Sequence, residues 1–388
     1  MSDLSFYNSY DVVVVGSGPA GLSAALTLAN QGVRVVVIEK ASLPRYKTCG
    51  GGLVRRAIRL LPVDIQGVVE RDCYSVELNL LDTGLGFATK RQSPIVSMIM
   101  REKFDFYLVS SAIKAGVVIR SRCEVVDVVS KVKGVELITR EGSLKTRFVI
   151  AADGAKSLVA QKTGWKETRQ LIPASVYEVF VDDDVLNRFI HAGRFDFGIV
   201  SRGYTWVFPK KNHLSIGLLS MRRGALKLDK MLKQYLRLIC IDKIKRIERH
   251  NFVVPISPRK DCFMQSCVLL VGDAAGFVDP VTGEGITFAI QSGQIAARAL
   301  LDGYFDEDRV KQAFYLELEK RILPELRLGS YLARLIYDYP RIRSLLFRLY
   351  GQNLTEAVTD IMMGEKTYRS ILHNPLNYLK IVSHLATS

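Results

Sequence analysis

The 388-residue chain contains only two tryptophans, five histidines and six cysteines, and its 39 acids are outnumbered by 54 lysines and arginines. Each shortage excludes something. The cysteines (Cys49, Cys73, Cys123, Cys240, Cys262, Cys267) are scattered and follow no secretory leader, which argues against a disulfide framework and for a reducing, cytoplasmic setting. The histidines (His191, His213, His250, His373, His384) stand singly, without an i, i+4 partner, so no metal site is expected. No apolar run approaches the roughly 18 residues needed to cross a bilayer. No repeat, low-complexity tract or proline-rich linker divides the chain.

What is present begins with charge. The formal net charge is +15, and residues 202–260 hold fifteen Lys and Arg against three acids. Such a segment suits either a solvated face or a docking surface for a diphosphate, an acidic protein or an anionic membrane. Nucleic acid is not expected, because no helix-turn-helix, zinc-finger or aromatic RNA-binding signature accompanies the charge.

The N-terminal stretch DVVVVGSGPAGLSAALTLANQGVRVVVIEK (residues 11–40) reads as strand, glycine turn, helix, strand. Gly16, Gly18 and Gly21 form G-x-G-x-x-G between the first strand and the helix. Gly16 permits the tight turn, Gly18, with Pro19 and Ala20 beside it, lets backbone approach a pyrophosphate, and Gly21 lets the helix lie close on the sheet. The helix N-terminus offers free N–H groups to phosphate, and Glu39, followed by Lys40, lies at the ribose position. This predicts dinucleotide binding without distinguishing NAD from FAD.

Three later stretches decide between them through a resemblance. REKFDFYL (from Arg101), VIAADGAKSLV (with Asp153 and Gly154) and LLVGDAAGFVDPVTGEGITFAIQSG (with Gly272, Asp273, Gly283, Gly285 and Ile286) resemble the FAD motifs of flavoproteins of the para-hydroxybenzoate hydroxylase class. That class carries an arginine near the position of Gln161. Within it, KTCGGGL (Lys47 to Leu53) and YTWVFP (Tyr204 to Pro209) are similar to signatures of the geranylgeranyl reductases. The resemblance implies FAD contacts from Arg101, which Asp105 helps to hold, and from Asp153, Gly154, Gly272, Asp273, Gly283, Gly285 and Ile286. It also implies that Cys49, Gly50 and Gly51 lie near the flavin.

The implied activity is saturation of carbon–carbon double bonds in an isoprenoid lipid or prenyl diphosphate, with NADPH or reduced ferredoxin as electron donor. Tyr204, Trp206 and Phe208 alternate, so they share one strand face as an aromatic wall. Cys49, Tyr204 and Trp206 are the catalytic candidates, and ordered water stays open as proton source. A flavin monooxygenase or halogenase, or a non-catalytic electron-carrying flavoprotein, would share the FAD motifs. Halogenases, however, carry W-x-W-x-I-P where this chain has Tyr204 and Phe208.

The expected architecture is α/β. A Rossmann-like FAD-binding part (1–75, 96–165 and 262–305) holds an inserted, mostly antiparallel substrate sheet (76–95 and 166–261), and 306–388 is helical. In that last region Leu328, Leu332, Leu335 and Ile336 recur at helical spacing until Pro340 forces a break, which favours packing on the core over membrane contact.

Overall fold

The computed structural model describes residues 10–221 and 228–372. Its organising layer is a six-stranded sheet in the order Met264–Gln265, Val268–Leu270, Phe148–Ala151, Val12–Val15, Val35–Glu39, Val118–Ser121. Every neighbouring pair is parallel except the first. Val12 to Val15 sit at its centre, buried on both faces, which is why the run reads as continuous valine without alternation.

The helix Pro19–Ala29 starts directly on the glycine turn, with Gly18 at its N-cap and Pro19 pre-set for the first turn. It begins before the first apolar-periodic residue, Leu22, because the proline fixes its opening turn. A Cβ on Gly21 would collide with the Gly16 carbonyl oxygen and reach 3.0 Å from a Val14 methyl, so the helix can lie this close only with glycine there. The Ile286–Asp302 helix crosses the same helix, with Gly293 against the backbone of Ala20.

A seven-stranded sheet draws strands from two parts of the chain, in the order Ile244–Pro255, Leu171–Val181, Leu214–Ser220, Gly203–Pro209, Ala192–Phe197, Ser75–Leu80, Leu85–Lys90. Neighbours are antiparallel except Ala192–Phe197 with Ser75–Leu80. Between the large sheets lies a small antiparallel one of Gly52–Val54, Val96–Ile99 and Val69–Cys73, which seats the glycine run that precedes it. A meander of Val125–Ser130, Val135–Thr139 and Gly142–Thr146 had no counterpart among the sequence expectations.

The C-terminal helices are Glu307–Arg321, Leu323–Asp338, Pro340–Met363 and Tyr368–Leu372. The break falls at Tyr339, immediately before Pro340, and Leu328, Leu332 and Ile336 pack on the core. No described helix is long and apolar enough to cross a membrane.

The basic segment 202–260 is not one cationic face. Lys210 and Arg259 are buried, while Lys245, Arg246 and Arg249 pair with Asp182, Glu248 and Asp229. Arg222, Arg223 and Lys227 lie outside the described residues, as do His373 and His384. Among the described residues no three His, Cys, Asp or Glu side chains are grouped to hold a metal.

Replacing Gly293 with leucine forces the two crossing helices apart. The expected loss is about 1–3 kcal/mol or more of unfolding free energy, read by denaturant titration, with weaker retention of the dinucleotide.

Candidate active site

Two cavities meet at the ends of these sheets. The first is a cleft of about 1840 Å³ over the carboxyl ends of the parallel strands. It is bordered by Gly16, Gly18, Pro19, Ala20, Glu39, Lys40, Cys49, Arg101, Asp153, Gly154, Asp273, Gly283, Gly285 and Ile286. Gly21 and Gly272 are not on its surface; they lie behind it, where close backbone packing needs them.

Glu39 is buried and accepts from Ser17 N (3.0 Å), Ser17 Oγ (2.8 Å) and Ala41 N (3.1 Å), with Arg45 Nε at 3.2 Å. Burial opposes its ionisation, but Arg45 and these donors outweigh it and hold the carboxyl below its usual range. Arg101 makes a two-pronged ion pair with Asp105 (2.8 and 2.9 Å), and Arg45 reaches the same carboxylate at 3.1 Å. Asp153 accepts from Val159 N through one oxygen (3.0 Å), while the other is buried without a partner. Burial pushes both Asp153 and Asp273 up, the latter against the opposing pull of Lys47, Arg101 and Arg169.

The second cavity, about 1600 Å³, is almost wholly apolar. Tyr204, Trp206 and Phe208 line it along one face of their strand, joined by Phe195, Phe197, Tyr337 and Phe347. The rings interlock: Phe195 meets Phe208 edge-on at 5.5 Å, Phe197 lies 5.8 Å from Phe347, and Tyr204 lies 6.4 Å from Tyr337. Gly50 and Gly51 border this cavity and not the cleft, whereas Cys49, Gly283, Gly285, Ile286, Phe252 and Val254 border both.

Trp206 is fixed between glycines. Opposite it on the neighbouring strand is Gly217, whose missing side chain leaves room for the indole. On its other side, a Cβ at Gly50 would stand 2.6 Å from Nε1. That nitrogen is buried and has no hydrogen-bond partner. The Tyr204 hydroxyl donates to the Thr282 carbonyl, and burial raises its pKa.

The chain is similar to known proteins along most of its length. A family model described as FAD binding domain matches residues 9–306. Digeranylgeranylglycerophospholipid reductase 2 of Methanothermobacter thermautotrophicus is 30% identical over 390-odd positions, strictly 396, covering 94% of this chain and 98% of the relative. The chloroplastic geranylgeranyl diphosphate reductase of Arabidopsis thaliana is 30% identical over 390 residues, covering 90% and 79%. The chain belongs to the geranylgeranyl reductase family of FAD-binding flavoproteins.

Among solved structures, a geranylgeranyl bacteriochlorophyll reductase-like protein from Thermoplasma acidophilum superposes with a TM-score of 0.75 at 24% identity, covering 84% of this chain and 87% of that one. The flavin-dependent brominase Bmp2 gives 0.72 at 22% identity, covering 92% and 93%. At these identities the two structures establish the fold alone.

The residues present fit FAD. The unpartnered Asp153 oxygen, the open backbone at Gly18 with the Arg101 guanidinium 3.9 Å from where a Cβ would be, and the paired helix N-termini at Pro19 and Ile286 supply the donors, acceptors and space a flavin dinucleotide requires. As a member of this family the protein is an FAD-dependent oxidoreductase.

Sequence reasoning missed several residues that build the site. Arg169 is buried and donates to the carbonyls of Ala155 (2.8 Å) and Asp273 (2.5 Å), tying two FAD-motif turns together. Arg56 bridges Glu284 (2.9 Å) and Asp279 (3.4 Å), and Tyr368 donates to Asp279 (2.9 Å), so the Asp279–Gly285 loop is pinned from behind. Lys210 is 1% exposed and directs Nζ to the carbonyls of Gly50 (2.8 Å), Gly51 (3.1 Å) and Ile99 (2.9 Å). Extending the alternation of Tyr204, Trp206 and Phe208 by one step leads to this lysine.

Burial lowers Lys210 to about 8, partly offset by Glu178, Cys49 and Glu70. Its folded pKa therefore lies beneath the ordinary 10.5, and between these values the unfolded chain holds more protons than the folded one. Subtracting the stability of Lys210→Met from that of the wild type leaves a difference expected to grow as pH rises from about 8 to 10.5, read by denaturant unfolding. The variant itself removes the Nζ donor from the Gly50 and Ile99 carbonyls, while Gly51 O keeps the Ile99 N–H, and loses about 1–3 kcal/mol for each carbonyl left without a donor.

Proposed function

We propose that the protein reduces carbon–carbon double bonds of a geranylgeranyl or related isoprenoid chain carried by a lipid or a diphosphate. The observation that carries this reading is the shared border of the two cavities. An apolar chamber walled by aromatic rings abuts the dinucleotide cleft at Cys49 and at Gly283, Gly285 and Ile286. Its lining is mostly hydrocarbon and aromatic ring, which suits an apolar chain. The names of the two relatives agree with such a substrate.

In this reading the residues bordering the cleft hold FAD, from Gly16, Gly18, Pro19, Ala20, Glu39 and Lys40 through Arg101, Asp153, Gly154 and Asp273 to Ile286. Gly21 and Gly272 set the packing beneath it. Among the described residues the dinucleotide part takes in 10–74, 96–165 and 262–305, and the substrate sheet 75–95, 166–221 and 228–261. Reduced FAD supplies the hydride.

The chain's own residues supply the rest. The apolar walls bind the isoprenoid by burying its surface at about 25 cal/mol per Å² and keep water from the reacting carbon. An isolated alkene has no carbonyl to receive hydride, so positive charge builds at the more substituted carbon as the other is protonated. The faces of Trp206 and Phe208 stabilise that charge by about 0.5–2 kcal/mol each. Tyr204, with its hydroxyl committed to the Thr282 carbonyl, acts as wall and loop anchor rather than acid. Cys49, on the border of both cavities, is the side chain positioned to hold the proton at Sγ, which also accepts from Gly51 N at 3.3 Å. The donor that returns electrons is NADPH or a reduced ferredoxin.

Anaerobic turnover of reduced protein with geranylgeranyl diphosphate and with a geranylgeranylated glycerolipid tests the reading by product mass. A gain of two hydrogens per bond is expected. Product that forms only under air and gains one oxygen would overturn it in favour of a monooxygenase. Trp206→Ala is expected to lower kcat/KM by roughly 10- to 100-fold while Trp206→Phe retains most of it, because the ring face and not the N–H carries the effect. Gly50→Ala, which drives a methyl against that indole, is expected to lose both substrate binding and turnover.

A further inference from the structure

The Pro340–Met363 helix has two halves of different character, divided at Tyr350, whose φ/ψ of −132°/17° breaks the helical path. Beyond the kink the exposed positions are Gln352, Asn353 and Glu356, an ordinary solvated face. Before it they are Pro340, Arg341, Ile342, Leu345, Arg348 and Leu349. Ile342, Leu345 and Leu349 follow i, i+3, i+7 spacing and so form one stripe, at 42%, 55% and 51% exposure. Tyr339 at the helix start is 55% exposed, and Tyr331 on the preceding helix 68%.

Arg341 and Arg348 flank the stripe on one side, and Arg334 lies on the preceding helix; none of the three is in an ion pair among the described residues. The acids recorded against this corner are already paired: Asp338 faces Arg202 at 3.7 Å and Asp82 faces Arg343 at 3.6 Å. On the stripe's other side Leu346, Arg343 and Phe347 line the apolar cavity. The first half of the helix therefore presents three sectors in sequence around its axis: cationic, exposed apolar, and cavity wall.

We propose that this corner seats the protein on an anionic lipid bilayer, with Ile342, Leu345 and Leu349 entering the acyl boundary and Arg341 and Arg348 at the headgroups. Apolar stripe, flanking arginines and exposed tyrosines are the pattern of a helix lying in a membrane interface. A second copy of the chain is the poorer occupant. Two-fold pairing would set the unpaired arginines of one copy against those of the other, whereas anionic headgroups neutralise them. Leu346, on the next sector of the same helix, lines the cavity. The docking surface stands apart from the reductase reading, and vesicles free of any isoprenoid test it independently.

The experiment is co-sedimentation of the full-length, FAD-loaded protein with phosphatidylcholine vesicles and with vesicles containing about one-third phosphatidylglycerol. Binding to the anionic vesicles is expected, at least tenfold stronger than to the neutral ones and reduced by salt. The triple variant Ile342→Ser, Leu345→Ser, Leu349→Ser is expected to bind at least tenfold more weakly, with its melting temperature and flavin retention unchanged. Arg341→Gln with Arg348→Gln should remove most of the preference for anionic lipid. Equal pelleting of wild type and triple variant overturns the proposal. So does a dimer in solution that the triple variant dissociates, which would assign the stripe to a second copy.

Discussion

One buried ammonium holds together the wall on which both cavities depend. Lys210 lies where no water reaches it and has no carboxylate within hydrogen-bond reach; its charge is satisfied by the carbonyls of Gly50, Gly51 and Ile99. An isolated charge in a protein interior is strongly unfavourable unless every donor is used, and three carbonyls match three N–H bonds. The arrangement fixes the run from Cys49 to Gly52, which includes the left-handed Gly51, against the aromatic strand that carries the lysine. It thereby joins the small sheet to the large antiparallel one at the point where the cleft gives way to the apolar chamber.

The aromatic wall depends on absent side chains as much as on rings. Trp206 occupies the space above Gly217 and against Gly50, and Phe208 packs on Gly52. Glycine at these three positions is a volume requirement: a methyl would meet ring atoms at or inside van der Waals contact, and close-packed interiors yield little. The result is a chamber walled largely by rigid aromatic faces, the kind of surface that can stabilise a transient positive charge.

The cleft is built by a different economy. Its polar groups are held by buried arginines that contact backbone carbonyls, as Arg169 does at Ala155 and Asp273, so the turns are fixed while Asp153 keeps one oxygen free. The fold is shared with the brominase Bmp2, and in this chain the apolar chamber stands beside the cleft. The same helix that completes the chamber turns an apolar, cationic face outward, so one segment sets both part of the chamber wall and part of the surface.

The dinucleotide half was largely legible in the sequence because its determinants are local. Glycine spacing, a valine run, Pro19 and Glu39 act within a few residues of one another, and the strands at Phe148–Ala151 and Val268–Leu270 end at turns marked by their own aspartates. Period-2 alternation likewise put Tyr204, Trp206 and Phe208 on one face. The sequence by itself determined the βαβ start, dinucleotide binding and the aromatic stripe, and FAD followed from the resemblance of its later motifs. Only the tertiary structure decided that Lys210 is an internal clamp instead of part of a basic surface, that Gly50 and Gly51 face the chamber while Gly21 and Gly272 lie behind the cleft, and that Arg169 and Arg56 brace turns far away in the chain. The physical reason is that a charged residue's role depends on which acceptors surround it after folding, and those acceptors are backbone carbonyls that every sequence possesses and no residue type announces.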